Sequence, residues 1–290
     1  MMNSTADLRW PFAVRPLTPK LGAEISGVTL ENDISDPVFR AIYRAYLRYQ
    51  VLLFPPQDVP PGRQVDLARH FGEVQIHVMN QYHADGYPEL YRLSNLDEHG
   101  KPNGRHPDKG TLAWHTDGSW QRVTGNATII YGEVMPESGG ETHFCDMYGA
   151  YERLDAAWKA RIANLRAVHN LDFSRTRRHG EDPMTEAQRL ATPPVDHPVV
   201  RTHPETGQRA IYVNEIFTSH IVGVDPDESD ELLRFLCAQA RIPEYQCRFR
   251  WEPDSIAFWD NRSAQHYAVS DYWPAHRVME RVTIIGNVPA

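Results

Sequence analysis

The sequence predicts a mainly β fold with flanking helices, an α+β chain arranged as a barrel or a double-sheet jelly roll. Many short strand-like runs succeed one another, above all in the C-terminal half. A few amphipathic helical stretches lie between them. No repeat, low-complexity tract or linker divides the chain, so residues 1–290 are expected to form a single domain.

The elements can be assigned in chain order. Residues 1–10 are expected to be loose, and residues 14–30 to contain two short strands. Asp36-Pro37 begins a helix, because proline favours a first helical turn and Val38, Ile42 and Tyr46 give an apolar stripe. Further helices are predicted at 61–70, 147–154, 156–165 and 226–240. Further strands are predicted at 51–54, 90–93, 127–134, 142–145, 198–203, 209–214, 246–251, 255–259, 265–269 and 277–286, and long loops at 74–110 and 174–196.

Composition excludes several classes of protein. The net charge of −8 and the pI of about 5.9 are opposite to the basic footprint of a nucleic-acid-binding protein. Three cysteines with no motif spacing argue against a disulfide framework. Neither a signal peptide nor an apolar run of membrane-spanning length is visible, which predicts a cytoplasmic protein with no membrane partner.

A metal site is predicted within the stretch Thr111-Leu-Ala-Trp-His-Thr-Asp-Gly-Ser-Trp120. His-x-Asp occurs three times, but His83/Asp85 and His106/Asp108 are followed by turn residues. His115 and Asp117 instead lie among residues of strand character. On a strand they would face one side and could present a nitrogen and an oxygen to one ion. A satisfied histidine beside a solvated aspartate is the simpler alternative.

Two later features would complete such a site. His266, in an apolar setting near Tyr267, is the best candidate for a second imidazole, which would give the two-His-one-carboxylate set of non-haem Fe(II) oxygenases. Arg277 and Arg281 are four residues apart on a predicted strand, so both would face the same cavity and could hold anionic groups. The alternatives are a core histidine and a solvated sheet edge.

The order of these motifs resembles the taurine dioxygenase and chlorophenoxyacetate dioxygenase family, whose members are Fe(II)- and 2-oxoglutarate-dependent oxygenases. The likeness covers residues 13 to 287. It is carried by His115-Thr-Asp117, Pro136-Glu-Ser-Gly-Gly-Glu-Thr142, Trp259-Asp-Asn-Arg-Ser-Ala-Gln-His266, Arg277 and Arg281, and outside the site by Leu21-Gly-Ala-Glu-Ile-Ser-Gly27, Phe71-Gly-Glu73, His197-Pro-Val-Val-Arg-Thr-His-Pro204 and Val213-Asn214-Glu215.

The resemblance implies a double-stranded β-helix, a cupin-like jelly roll. It implies that His115, Asp117 and His266 bind Fe(II), and that O2 and 2-oxoglutarate are co-substrates. Arg277, helped by the hydroxyl of Thr142, would bind the distal carboxylate of 2-oxoglutarate. Arg281 would bind the anionic group of a small organic substrate, a sulfonate, sulfate ester or carboxylate. A homo-oligomer, dimeric or tetrameric, is also implied.

The expected substrate pocket contains His77, Asn80, Thr111, Gly118 and Phe217. Compared with the taurine enzymes, Asn80 stands in place of a tyrosine, Thr111 in place of an asparagine, and Gly118 in place of a larger aliphatic residue that would leave less room. Phe144-Cys-Asp-Met147 resembles the chlorophenoxyacetate enzymes instead. These departures predict that a bulkier anion than taurine is preferred, and they leave the substrate open.

Three hypotheses account for these features. The first is the Fe(II)/2-oxoglutarate dioxygenase. The second is another cupin-like metalloenzyme that uses the same three ligands, in which Arg277 would have no role because no keto acid binds. The third is a binding protein that retains the barrel without turnover.

Overall fold

The computed structural model describes residues 10–97, 99–102, 111–178 and 182–290. Residues 1–9 of the expected loose segment 1–10 and the pair His106/Asp108 lie outside these residues. The described strands are β1 Ala13–Pro16, β2 Ala23–Ser26, β3 Val51–Phe54, β4 His83–Ala84, β5 Tyr87–Ser94, β6 Gly125–Val134, β7 Thr142–Asp146, β8 Arg166–His169, β9 Val195–Pro198, β10 Val200–Thr202, β11 Arg209–Ile211, β12 Thr218–Ile221, β13 Gln246–Phe249, β14 Ile256–Asp260, β15 Ala264–Ala268 and β16 Val278–Ile285.

The helices lie between these strands and cover their outer faces. They are α1 Asp36–Tyr49, α2 Pro61–Arg69, α3 Met147–Glu152, α4 Ala156–Ile162, α5 Leu171–Phe173, α6 Glu186–Ala191 and α7 Pro226–Ala238, with a π-helical turn at Ser174–Arg178 and 3-10 turns at Asn80–Tyr82, Gln239–Arg241 and Pro243–Tyr245. The predicted mainly β class with flanking helices is confirmed. Among the helices described, none is long and apolar enough to cross a membrane.

Two facing sheets form the body of the molecule. In the described part of the chain, the larger sheet has the order β1-β2-β3-β14-β6-β16-β5-β4, and a three-stranded sheet has the order β13-β7-β15. One apolar cluster joins them, with Trp259 and Met279 from the larger sheet against Phe144 and Ala264 from the smaller. The opposite face of the larger sheet is covered by α1 and α2. This double-sheet arrangement is the predicted jelly roll.

The transition from α1 to β3 shows how local sequence sets this architecture. Pro37 lies in the first turn, and Ile42 and Tyr46 on the buried face of the helix. Gln50 then adopts a left-handed conformation with φ 63°, and its amide donates to the Tyr46 carbonyl at 2.8 Å. The turn ends the helix and starts β3 at once. All four residues of β3 are buried, as expected of a central strand.

Two short hairpins follow from turn residues. Asp85-Gly86 joins β4 to β5, with Gly86 at φ 77°. The first His-x-Asp pair is thus a turn at Asp85, as predicted, but His83 lies on the short strand β4. The predicted hairpin around residues 204–208 is also confirmed, since Val200 pairs with Ile211.

The predicted loop at 174–196 is wrong in part. It contains the π-helical turn, the helix α6 and the start of β9. The helix begins at a capping box, in which Thr185 and Gln188 exchange side-chain and backbone hydrogen bonds. The sequence carried this signal in Thr-x-x-Gln, and the abundance of Arg, Thr and Pro obscured it.

Candidate active site

The two proposed histidine ligands are paired through their backbones. The His115 amide donates to the His266 carbonyl at 3.0 Å, and the His266 amide donates to the His115 carbonyl at 2.9 Å. Residues opposed in this way place their side chains on the same face. The two imidazole centroids accordingly lie 4.0 Å apart. His266 is held by β15 of the smaller sheet, so one ligand positions the other.

The prediction that His115 and Asp117 lie on a regular strand is wrong. Residues 111–120 form bends and turns, and His115 makes only an isolated bridge. Gly118 reverses the chain with φ 69°, and a Cβ added there would lie 3.0 Å from the Gly125 nitrogen. Glycine is thus required by the backbone conformation and by the close approach of β6. The backbone conformation, and not the extra pocket volume expected from Gly118, therefore explains why a glycine occupies this position.

Asp117 is fixed by side chains of the larger sheet. Its Oδ2 accepts a hydrogen bond from Thr128 on β6 at 2.8 Å, and its Oδ1 accepts one from Arg281 on β16 at 3.0 Å. The carboxylate Oδ1 lies 3.7 Å from His115 Nε2, and Oδ2 lies 3.9 Å from His266 Nε2. The larger sheet therefore places the carboxylate against His266 of the smaller sheet and against His115, which is bridged to it.

These three side chains fit a divalent metal ion. One ligand atom from each lies within 4.8 Å of the other two, and all three residues are at most 4% exposed. His115 Nδ1 lies 2.9 Å from the Ala113 carbonyl. A carbonyl only accepts, so Nδ1 must carry the proton and Nε2 is left as a ligand. Two imidazoles and one carboxylate leave positions open, the arrangement of non-haem Fe(II) oxygenases.

The charge states of the ligands also suit a cation. Burial by itself would raise the pKa of Asp117, but the charge of Arg281 and the neighbouring imidazoles hold it below its usual value. Burial and the adjacent His115 lower the pKa of His266 well below its usual value. The cluster is thus an ionised carboxylate beside a neutral imidazole, the protonation states that bind metals.

A cavity opens beside the three ligands and contains most of the predicted substrate-binding residues. His77, Thr111, Gly118, Phe217 and Arg281 line it. Asn80 does not: it starts the exposed 3-10 turn at Asn80–Tyr82, and the lining residues from that stretch are Met79 and Tyr82. In a turn the side chains do not alternate as they do in a strand, so the position of Asn80 after His77, taken from the family resemblance, did not indicate that its side chain is exposed.

Arg277 and Arg281 do not share one environment. Arg281 lines the cavity, with its guanidinium carbon 4.5 Å from the Tyr91 ring centroid. Arg277 precedes β16, is not among the described lining residues, and lies 5.5 Å from the Tyr272 ring. The irregularity between Val278 and Met279 lies in the pairing of β16 with β6, whereas the pairing with β5 is regular from Val278 to Arg281. The four-residue spacing is therefore kept along β16, and the common face of the two arginines stays a prediction.

The residues expected to bind 2-oxoglutarate are deeply buried. The hydroxyl of Thr142 on β7 accepts a hydrogen bond from the indole nitrogen of Trp251 at 2.9 Å. Arg277 is 2% exposed, and burial lowers the pKa of its guanidinium. Within the residues described, its Nε has no hydrogen-bond partner and its guanidinium forms no ion pair. A buried cation of this kind suits an anionic ligand.

Sequence reasoning missed several residues around the site. Arg175 lines the cavity from the π-helical turn, within a stretch interpreted as loop. Thr128 contacts Asp117 from a strand assigned only to the core. π-Helical turns are rare and often lie at functional sites, but no sequence pattern announces them. The alternation of buried residues could have identified Thr128 as inward-facing, though not its contact.

Fold and site together define a class: a double-stranded β-helix oxygenase with a non-haem iron centre. Comparison with known proteins narrows the class. The family described as "Taurine catabolism dioxygenase TauD, TfdA family" matches residues 13–283. The chain belongs to this TauD/TfdA family.

Individual relatives are similar in sequence to this chain over nearly its full length. An alkylsulfatase from Acinetobacter baylyi is 32% identical over 99% of this chain and 88% of the relative. A (S)-phenoxypropionate/alpha-ketoglutarate-dioxygenase from Sphingobium herbicidovorans is 31% identical over 95% of this chain and 96% of the relative. The crystal structure of AAD-2 in complex with Mn(II) and N-oxalylglycine superposes with a TM-score of 0.84, at 29% identity over 96% of this chain and 98% of that one.

The protein is therefore an Fe(II)- and 2-oxoglutarate-dependent dioxygenase with His115, Asp117 and His266 as the iron-binding triad. This confirms the first hypothesis over the other metalloenzyme and the binding protein. Its prime substrate is a small organic molecule, and the relatives differ in which one they use.

Proposed function

We propose that the enzyme hydroxylates a small organic anion with an apolar alkyl or aryl body, a sulfonate, sulfate ester or carboxylate, and that taurine is not its best substrate. The observation that carries the proposal is the composition of the cavity wall. Arg281 lines it with a hydrogen bond to Asp117, and the same wall contains the rings of Tyr82, Tyr91, Trp120 and Phe217.

Arg281 supplies the site for the anion. A guanidinium carries five donors in a planar fork, so its contact with Asp117 is compatible with a second anionic partner. An anion bound there lies next to the metal ligands, which brings the adjacent carbon close to the reacting centre. His77 lies nearby and is neutral, because burial and the charge of Arg281 lower its pKa to about 3. It contributes hydrogen bonds to the anion rather than charge.

The remainder of the wall favours an apolar body over an ammonium group. Met79 and Leu171 add aliphatic surface to the four aromatic rings. Among the described lining residues, Asp117 is the only carboxylate, and it is committed to iron. Arg175 adds a second cation. An ammonium would lose water without gaining an anionic partner, whereas an alkyl or aryl group gains contacts. The names of the relatives, alkylsulfatase and phenoxypropionate dioxygenase, are consistent with this preference.

We further propose that Arg277 pairs with the distal carboxylate of 2-oxoglutarate, helped by the Thr142 hydroxyl. The support is the buried guanidinium of Arg277, whose Nε lacks a hydrogen-bond partner in the described part of the chain. When bound, iron and 2-oxoglutarate supply the activation of O2: one oxygen atom enters succinate as CO2 leaves, and the other becomes the hydroxyl on the substrate carbon. The protein orients the substrate C–H and excludes water.

A matched set of substrates tests the proposal. Succinate release is measured with Fe(II), 2-oxoglutarate and O2 for taurine, propane-1-sulfonate, hexane-1-sulfonate, hexyl sulfate and phenoxyacetate. Propane-1-sulfonate differs from taurine by a methyl group in place of the ammonium, so this pair isolates the effect of the charge. We expect release above background to be larger with propane-1-sulfonate than with taurine, and larger again with the longer or aryl anions. A clear preference for taurine contradicts the proposal.

A further inference from the structure

The carboxylate of Asp117 has two side-chain hydrogen bonds of different character. Arg281 approaches Oδ1 from the cavity, where substrate enters. Thr128 approaches Oδ2 from the middle of β6 and is not among the described residues that line the cavity. The Thr128 contact therefore comes from within the sheet and not from the cavity.

The Thr128 hydroxyl is oriented by two further side chains. Its oxygen accepts a hydrogen bond from Asn261 Nδ2 at 2.8 Å, and Asn261 Oδ1 accepts one from the Trp259 indole nitrogen at 3.0 Å. An indole N–H only donates, so it fixes which end of the Asn261 amide faces Thr128. Since the Thr128 oxygen then accepts from the amide, its own proton points to Asp117. Trp259, Asn261 and Thr128 are all fully buried.

The backbone fixes the geometry of this chain of hydrogen bonds. Thr128 pairs directly with Trp259 across β6 and β14. The backbone N–H of Asn261 donates a hydrogen bond to the backbone carbonyl of Asn126 at 2.9 Å. Asn261 also belongs to the segment that leads from β14 to His266, so one stretch of chain supplies an iron ligand and supports another.

We propose that Thr128 is a positioning residue for the iron ligand Asp117, with its hydroxyl proton directed by Asn261 and Trp259. Hydrogen bonds from outer partners hold a metal-binding carboxylate in one rotamer, and their loss typically weakens metal affinity about 10- to 100-fold. This inference depends on the iron-binding triad and is independent of the identity of the prime substrate.

The decisive variants alter the hydroxyl and leave the shape nearly unchanged. Thr128→Val removes the hydroxyl and keeps the volume, and Thr128→Ser keeps the hydroxyl and removes the methyl group. Thr116→Val is the matched control, because Thr116 is equally buried and lies between the two ligands, but its hydroxyl contacts the Ala264 carbonyl at 3.4 Å rather than a carboxylate. Mn(II) affinity is measured by the EPR signal of the free ion, together with the thermal midpoint of each metal-free protein.

We expect Thr128→Val to weaken Mn(II) binding by about 10-fold or more, while Thr128→Ser and Thr116→Val bind as the wild type does. The thermal midpoints of the two valine variants should be similar. The proposal is overturned if Thr128→Val binds Mn(II) normally, if Thr128→Ser is as weak as Thr128→Val, or if Thr116→Val is equally impaired.

A second variant, Asn261→Ala, tests the proposal independently if Thr128→Val fails to fold. Asn261→Ala leaves the Thr128 hydroxyl in place but frees its direction, so Mn(II) binding should weaken by a smaller factor. Unchanged Mn(II) affinity in Asn261→Ala contradicts the proposed role of the chain of hydrogen bonds.

Discussion

Two parts of the site are built in different ways. One is the metal corner, formed by His115, Asp117 and His266. The other is the outer wall of the cavity, formed by residues 75–82 and 171–175. In the metal corner two ligands are joined by reciprocal backbone hydrogen bonds, and the third is held from β6 and β16. The outer wall consists of loop, a 3-10 turn, α5 and the start of the π-helical turn.

We infer from this difference that the metal corner determines the chemistry and the outer wall the choice of substrate. A cross-strand pair has one register, so the two imidazoles cannot move apart without breaking the sheet contact. The outer wall makes its contacts through side chains, such as the ring of His77 against those of Tyr91 and Trp120. Loops of this kind accept substitution without shifting the framework. Relatives with the same triad and different substrates are the expected result.

The largest expected effect is at the metal corner. His115→Ala, Asp117→Ala or His266→Ala should abolish succinate release and sharply weaken Fe(II) binding, because each removes one of three protein bonds to the metal. Metal binding by calorimetry and succinate assays measure both. Near wild-type turnover in any one of them would exclude that residue from the triad.

A smaller effect is expected where the co-substrate binds. Arg277→Ala should raise the KM for 2-oxoglutarate by about 10- to 100-fold, since one charge-assisted contact contributes about 1.5–3 kcal/mol. The KM for the prime substrate should change much less. Arg241→Ala is the control, because Arg241 forms an exposed ion pair with Glu215 and is not among the described residues that line the cavity. An unchanged KM for 2-oxoglutarate in Arg277→Ala would assign the carboxylate to another residue.

The smallest expected effect concerns pH and the buried pair His169 and His197, whose ring centroids are 5.3 Å apart. Burial lowers the pKa of His169 to about 3 and that of His197 to about 4. Below pH 6.5 the unfolded chain binds protons that the folded chain does not, so the free energy of unfolding falls as pH falls from 6.5 toward 4.

Thermal midpoints across this pH range test the titration. His169→Asn keeps a side-chain nitrogen near Ser119, which His169 Nδ1 contacts at 3.2 Å, and removes the titrating group. Its midpoint should fall less steeply with acidification. The exposed His220 provides the control, and His220→Asn should follow the wild type. An equally steep fall of the midpoint in His169→Asn would show that His169 does not contribute to the pH dependence of stability.

The sequence predicted the elements that depend on periodicity and on turn chemistry. Helices α1 and α7, the central strands and the hairpin at 204–208 follow from apolar stripes, prolines and glycines. The identity of the three iron ligands also came from the sequence, although the supposed strand around His115 did not form. His115 reaches its place through its partner His266, a contact between residues far apart in the chain that local pattern does not encode.

The outer wall was the part that sequence patterns predicted least well. His77 lines the cavity, whereas Asn80 is exposed and Arg175 was overlooked. Gly118 was interpreted as a source of space, and its left-handed backbone gives the actual reason for the glycine. The expectations for Asn80 and Gly118 came from the family resemblance, which does not give the conformation of a turn, and turn geometry decides where such side chains lie.

The separation of chemistry from specificity can be tested with one titration. The affinity for 2-oxoglutarate is measured by calorimetry on Mn(II)-loaded wild type and on the outer-wall variants His77→Gln and Arg175→Gln. The account predicts that both variants bind Mn(II) and 2-oxoglutarate as the wild type does, because neither residue contributes to the metal corner. Loss of 2-oxoglutarate binding in these variants, comparable to that in Arg277→Ala, would contradict it.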